Sequence, residues 1–128
     1  MGAWGVHFDE CDGSLDFLGD VESSRDWNVI DQRIRDYVDN GGYDDAEEVI
    51  AALELVAGAF DKASPRLSAE LKEWTGQHRG DAERIRAHAL TALGLVGGES
   101  ELNELWAETD EYDDWQATLA DLRARLEV

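Results

Sequence analysis

Apolar residues recur along this chain at steps of three and four. Trp27, Ile30, Ile34 and Val38 make one stripe, and Val49, Leu53, Val56 and Phe60 a second. Tyr112, Trp115, Leu119, Leu122 and Leu126 make the third. Such spacing returns side chains to one side of a helix, whereas a half-buried strand alternates every second residue. The punctuation between stripes agrees. Ser23-Ser24 precedes a helix over about 26–39, and Asn40-Gly41-Gly42 stops it, because glycine accepts the left-handed conformation that ends helices. Asp44 with Glu47 has the spacing of a capping box and opens a helix reaching about Asp61, the most apolar and the expected central one. Ser68 caps a helix carrying Leu71 and Trp74. Asp81 caps one carrying Ile85, Ala89, Ala92, Leu93 and Val96, which Gly97-Gly98 ends. Ser100 caps one carrying Leu102, Leu105 and Trp106. The pattern predicts an all-α fold, a compact single-domain bundle of about six or seven short helices over residues 1–128.

The first 13 residues break the rhythm. Gly2 and Gly5 flank Ala3-Trp4, Trp4, Val6 and Phe8 alternate as in a short extended segment, and Asp12-Gly13-Ser14 reads as a turn before a short helix ending near Glu22. This irregular segment is expected to act as an anchor, with Trp4, Phe8, Phe17 and Leu18 plugging the bundle.

Charge changes the picture more than composition does. Of 128 residues, 43% are hydrophobic and five are Trp, enough for a globular core. Thirty acids against 11 bases leave a net charge of −19. Residues 1–63 carry 16 acids and 4 bases, residues 64–98 carry 4 and 5, and residues 99–128 carry 10 and 2. That field opposes direct nucleic-acid binding and anionic membranes and steers basic partners. No 18-residue apolar run and no basic-then-apolar leader occurs, and the single cysteine, Cys11, fits a reducing cytoplasm. Nothing in the spacing sets an oligomeric state.

Catalytic and metal chemistry is weakly signalled. His7, Asp9, Glu10, Cys11 and Asp12 gather N, O and S donors in six residues, yet neither CxxC nor HExxH occurs. Asp12, Ser14 and Asp16 imitate the opening of a calcium loop, but Phe17 stands where its turn glycine belongs and Ser23 where its last acid belongs. No metal and no cofactor are therefore expected. Neighbouring acids such as Asp113-Asp114 point in different directions on a helix, and no GxSxG motif occurs. Cys11, His7, His78 and His88 meet only if the fold brings them together.

The acidic surface remains. Asp31, Asp36 and Asp39 line the outer face of the second helix, and Glu101, Glu104 and Glu108 form a stripe on the sixth. These are the expected partner-binding residues of an acidic helical interaction protein, an inhibitor or immunity-type partner of a basic protein. The alternative is a small hydrolase or metal-dependent enzyme using the His7–Asp12 segment. Plain solvation and salt adaptation compete with both, since the chain has two lysines beside nine arginines and sixteen aspartates.

The opening MGAWG, then Phe8, Asp9 and the helix start Leu15-Asp16-Phe17-Leu18, resembles a bacterial family called domain of unknown function 4259. The likeness continues through the Glu- and Ala-rich 44–56 helix, Leu102–Trp106 and Tyr112–Trp115, and MGAWG is its most specific part. Val6-His7 and Glu10-Cys11-Asp12 depart from the family pattern. The resemblance implies a small bacterial or phage-borne protein and brings no catalytic residues.

Overall fold

The computed structural model describes residues 3–43 and 45–127. Seven helices follow in order: α1 Asp12–Ser24, α2 Trp27–Asp39, α3 Ala46–Ala59, α4 Ala69–Gly76, α5 Arg79–Gly98, α6 Glu101–Ala107 and α7 Tyr112–Leu126. Among the described residues no strand forms. One antiparallel bridge joins Ala3 to Cys11.

Side chains satisfy the free N–H groups at several helix starts. Asp26 accepts from Asn28 N at 3.0 Å, Ser68 from Leu71 N at 3.2 Å and Ser100 from Asn103 N at 2.9 Å. At α3 the cap is Asp45, which accepts from the N–H groups of Glu47 and Glu48. The expected cap, Asp44, lies outside the described residues. Asp81 does not cap α5 either. That helix begins at Arg79, and Asp81 in its first turn accepts from His78 Nδ1 at 2.8 Å and from Arg84.

Two helices end in the same six-residue hydrogen-bond pattern. After α2, Gly42 N–H donates to Tyr37 O and Gly41 N–H to Val38 O, with Gly41 at φ 67°. After α3, Lys62 N–H donates to Ala57 O and Asp61 N–H to Gly58 O, with Asp61 at φ 60°. This closure satisfies the last carbonyls and needs a left-handed residue, a place aspartate accepts better than most.

The core is organised around α3, which packs against α1, α2, α4, α5 and α7. Every residue of α3 except Glu47 and Glu48 is buried. Burying one Leu or Ile side chain contributes about 1.5–3 kcal/mol, so this helix supplies much of the driving force. α2 presents Trp27, Ile30, Ile34 and Tyr37, and α5 presents Ala82, Ile85, Ala89, Ala92, Leu93 and Val96. Small residues let backbones approach. A Cβ on Gly58 would stand 2.6 Å from Thr75 Oγ1, so α4 lies on α3 through a glycine.

The N-terminal segment is a closed loop rather than an inserted plug. Trp4 N–H donates to Glu10 O at 2.9 Å, and Glu10 N–H to His7 O at 3.0 Å. A Cβ on Gly5 would meet only the Glu10 carboxylate, the end of a flexible side chain that can swing aside. Arg66 ties the loop to the body through Asp9, Nε to Oδ1 2.6 Å. Phe8 and Phe17 are buried and Leu18 is half-buried against the core, but Trp4 is 61% exposed. The expected anchoring role of Trp4 is thus corrected. Its backbone is spent on closing the loop, and that pairing turns the indole outward while Phe8 faces in.

Candidate functional site

An apolar cleft of about 480 Å³ opens between the N-terminal loop, α3, the 64–66 turn, α6 and α7. One side of α3 lines it through Glu47, Ile50 and Glu54, spaced to share a face. α7 lines it through Trp115, Leu119, Leu122 and Arg125, spaced likewise. Trp106 of α6 stacks on Trp115 with ring centroids 5.9 Å apart and planes 13° apart.

A polar network holds α6 in place beside the cleft. Tyr112 OH donates to Asn103 Oδ1 at 2.9 Å. Gln116 Nε2 reaches Asn103 Oδ1 at 2.9 Å and Gly97 O at 3.0 Å. The end of α5, α6 and α7 therefore share one set of hydrogen bonds.

Charges along the cleft are mostly matched. Arg125 grips Glu54 with both terminal nitrogens, 2.8 and 3.0 Å, and donates through Nε to Asp121 at 2.9 Å. Burial pushes the Glu54 carboxyl above its ordinary range, against the pull of Arg125. Arg66 is taken by Asp9, with Glu10 at 3.9 Å. Glu47 is different: among the described residues no lysine or arginine pairs with it. Desolvation first, then the nearby Asp45 charge, raises its pKa, against a hydrogen bond from the Cys11 thiol and the attraction of the chain's own N-terminal ammonium.

Beside Glu47 sits the buried Cys11. Its thiol donates to Ser14 Oγ at 3.0 Å, and Ser14 Oγ donates to the backbone carbonyl of Glu47 at 2.9 Å. Burial pushes the thiol pKa up. A protonated, enclosed thiol is a weak nucleophile. His7 also lines the cleft but is exposed at the loop tip. Among the described residues no three His, Cys, Asp or Glu side chains stand where one metal ion could be held.

A second, polar groove runs beside the first, bounded by Gly41–Tyr43, Asp45–Glu47 and Glu99–Leu105. Glu47 and Leu102 line both hollows. Glu101 and Glu104 form one wall, and Glu108 continues the stripe one turn on. All three are exposed, and none pairs with a described lysine or arginine. Tyr43 stands at the lip, 94% exposed.

The acids of α2 are placed differently. Asp31 is held by Arg35 at 2.5 Å, and Asp36 accepts from Gln32 and lines a separate shallow groove with Arg33 and Glu48. Asp39 is exposed near the end of the helix. Of the two acidic sets expected from the sequence, Glu101 and Glu104 thus border the polar groove and Asp36 the shallow one. His78, away from both, is sandwiched near Trp27 and Trp74, ring centroids 5.1 and 4.8 Å, and ties the starts of α2 and α5 to the end of α4.

Sequence reasoning missed the cleft itself, because its walls lie on helices far apart in the chain. One signal was available: Glu54 interrupts the apolar run Val49–Phe60, and a charge there must find a partner. Among the described residues no helix is long and apolar enough to cross a membrane. No curated protein and no solved structure matches the chain. The model of a family described as domain of unknown function DUF4259 matches residues 2–118, nearly the whole chain, and the chain belongs to that family.

Proposed function

We propose that this protein is an acidic interaction module that docks a basic protein partner on the groove between Tyr43 and α6. The carrying observation is the contrast between its two acidic faces. On α2 Arg35 neutralises Asp31 and Gln32 holds Asp36, leaving Asp39 alone exposed, whereas Glu101, Glu104 and Glu108 make a continuous exposed stripe with no described lysine or arginine paired to it. Unmatched carboxylates steer a positively charged partner and set its register, and an exposed tyrosine offers the kind of aromatic contact that concentrates binding energy. An inhibitor or immunity-type role for a basic enzyme fits this surface. A cytoplasmic setting suits the unpaired thiol. The alternative, a small hydrolase or metal-dependent enzyme using the His7–Asp12 segment, has less support, since burial keeps Cys11 protonated.

The test is affinity capture from the native host with the wild-type chain and with a Glu101→Lys, Glu104→Lys, Glu108→Lys variant. A basic partner is expected whose recovery falls with added salt and is lost with the variant. Recovery of the same partners by both proteins would overturn the reading.

A further inference from the structure

We infer that the apolar cleft between α3 and α7 is a binding site for a small neutral aromatic molecule that carries an oxygen acceptor. Its volume of about 480 Å³ lies in the range of small-molecule sites, and five segments of the chain wall it. The charges on those walls are already engaged. Arg66 is held by Asp9, and Arg125 by Glu54 and Asp121. Glu47 takes a hydrogen bond from the Cys11 thiol and is attracted by the chain's own N-terminal ammonium. His7 is exposed at the loop tip, where water screens it. An anionic ligand must draw an arginine from its carboxylate, and a cationic one must draw a carboxylate from its partner. Either leaves a charge unmatched in an apolar space, which is costly. A neutral ligand leaves every one of these pairs intact.

The aromatic character follows from the wall of α6 and α7. Trp106 and Trp115 stack on one another, 6% and 3% exposed, and the buried Phe8 lines the same cleft. Rings of this size give a flat ligand a large contact area with preferred stacked or edge-to-face geometry. The same wall supplies the polar handle. The hydroxyls of Ser14 and Thr118 and the Cys11 thiol are bonded within the chain. Among the described residues the indole N–H groups of Trp106 and Trp115 have no acceptor, and neither nitrogen is sealed off as that of Trp27 is. A ligand carbonyl or ether oxygen accepts from one of them and pairs a donor that the protein leaves open.

This site is separate from the proposed docking of a basic protein, and each proposal stands if the other fails. The probes are four compounds of nearly one shape: the ketone 2-acetylnaphthalene, the hydrocarbon 2-ethylnaphthalene, the 2-naphthoate anion and the 1-(naphthalen-2-yl)ethylammonium cation. Each is titrated into the full chain at pH 7.5 while backbone amide and indole N–H NMR signals are followed. The ketone is expected to bind with amide shifts confined to α3, α6, α7 and the N-terminal loop, and to move the indole signal of Trp106 or Trp115. The hydrocarbon should bind more weakly and leave those indole signals nearly in place. Both ions should bind at least about tenfold more weakly than the ketone, the scale of one uncompensated charge. Trp106→Phe and Trp115→Phe, made singly, keep a ring and remove the donor. At least one should weaken the ketone more than the hydrocarbon, by about tenfold for one hydrogen bond. Ala117→Trp, at an exposed position on the cleft wall where the fold tolerates it, should block ketone and hydrocarbon alike. No binding of the ketone to the wild type, an ion bound as tightly as the ketone, equal binding of ketone and hydrocarbon, or ketone binding untouched by Ala117→Trp would each overturn the proposal.

Discussion

Glu54 and Arg125 stand 71 residues apart in the chain and meet as a two-pronged ion pair at the inner end of the cleft, with Nη1–Oε1 2.8 Å and Nη2–Oε2 3.0 Å. Glu54 is only 5% exposed, so the carboxylate relies on this one guanidinium. The pair fastens α7 to α3, and Arg125 also donates to the carbonyl of Lys62 just past the end of α3.

Replacing Arg125 by Met should therefore strand a buried charge. A loss of about 3–5 kcal/mol at pH 7.5 is expected in urea unfolding. The deficit should depend on pH in a definite direction. An ordinary glutamate titrates near 4.5, and burial raises the Glu54 value in the folded protein. Between those two values the folded state holds the extra proton, so stability falls as pH rises through this window. Without Arg125 the folded value climbs further. The deficit of the variant should thus shrink as pH is lowered from 7.5 towards 5. A deficit independent of pH would contradict this account of Glu54.

The outward position of Trp4 yields a paired expectation. Phe8→Ala removes a buried ring and should destabilise by about 3–5 kcal/mol, whereas Trp4→Ala should cost less than about 1 kcal/mol. Thermal unfolding of the two variants side by side checks the order.

That contrast also marks how much was legible in the sequence. The helices were, because their stripes obey the helical period and the caps and glycine stops fall between them. Their fine structure was less so. Adjacent acids at the start of α3 are equivalent to a pattern, and geometry alone selects Asp45. In α2 the period admits both Tyr37 and Val38, and the structure buries Tyr37 fully while leaving Val38 at the margin. The N-terminal loop has no period. Its shape depends on backbone pairing of Trp4 with Glu10, which side-chain identity does not reveal. The α6 stripe of Glu101, Glu104 and Glu108 could be read because it is local. The cleft could not, because Ile50 and Leu119 become neighbours only after the whole bundle has closed.

Gly58 offers a test of close helix packing. Alanine there should destabilise by about 1–3 kcal/mol, because the added methyl meets Thr75 Oγ1, which is itself held by Leu71 O at 2.8 Å. In a Thr75→Ala background the same change should become neutral or stabilising by up to about 1 kcal/mol, as alanine's better helix propensity is then expressed. A double-mutant cycle measures the coupling. Additive effects would show that the two residues do not oppose one another.

Cys11 should be slow to react in the folded protein. Its thiol is buried, bonded to Ser14 and held protonated, so labelling by iodoacetamide at pH 8 should lag far behind that of free cysteine and recover in 6 M urea. Rapid native labelling would mean that the Ala3–Cys11 loop opens readily.

The near-total enclosure of α3 has a further consequence, for the chain when it is not folded. From Val49 to Phe60 the segment carries one charge, Glu54, amid ten apolar residues and a glycine. Released from the bundle, such a stretch invites association between chains, and a charge at its centre acts as a gatekeeper against it. Amide exchange in α3 should follow only global opening, while the short α6 exchanges by local fraying. Glu54 is costly to bury in the native state, and the same charge interrupts self-association of the segment that the fold otherwise keeps from water.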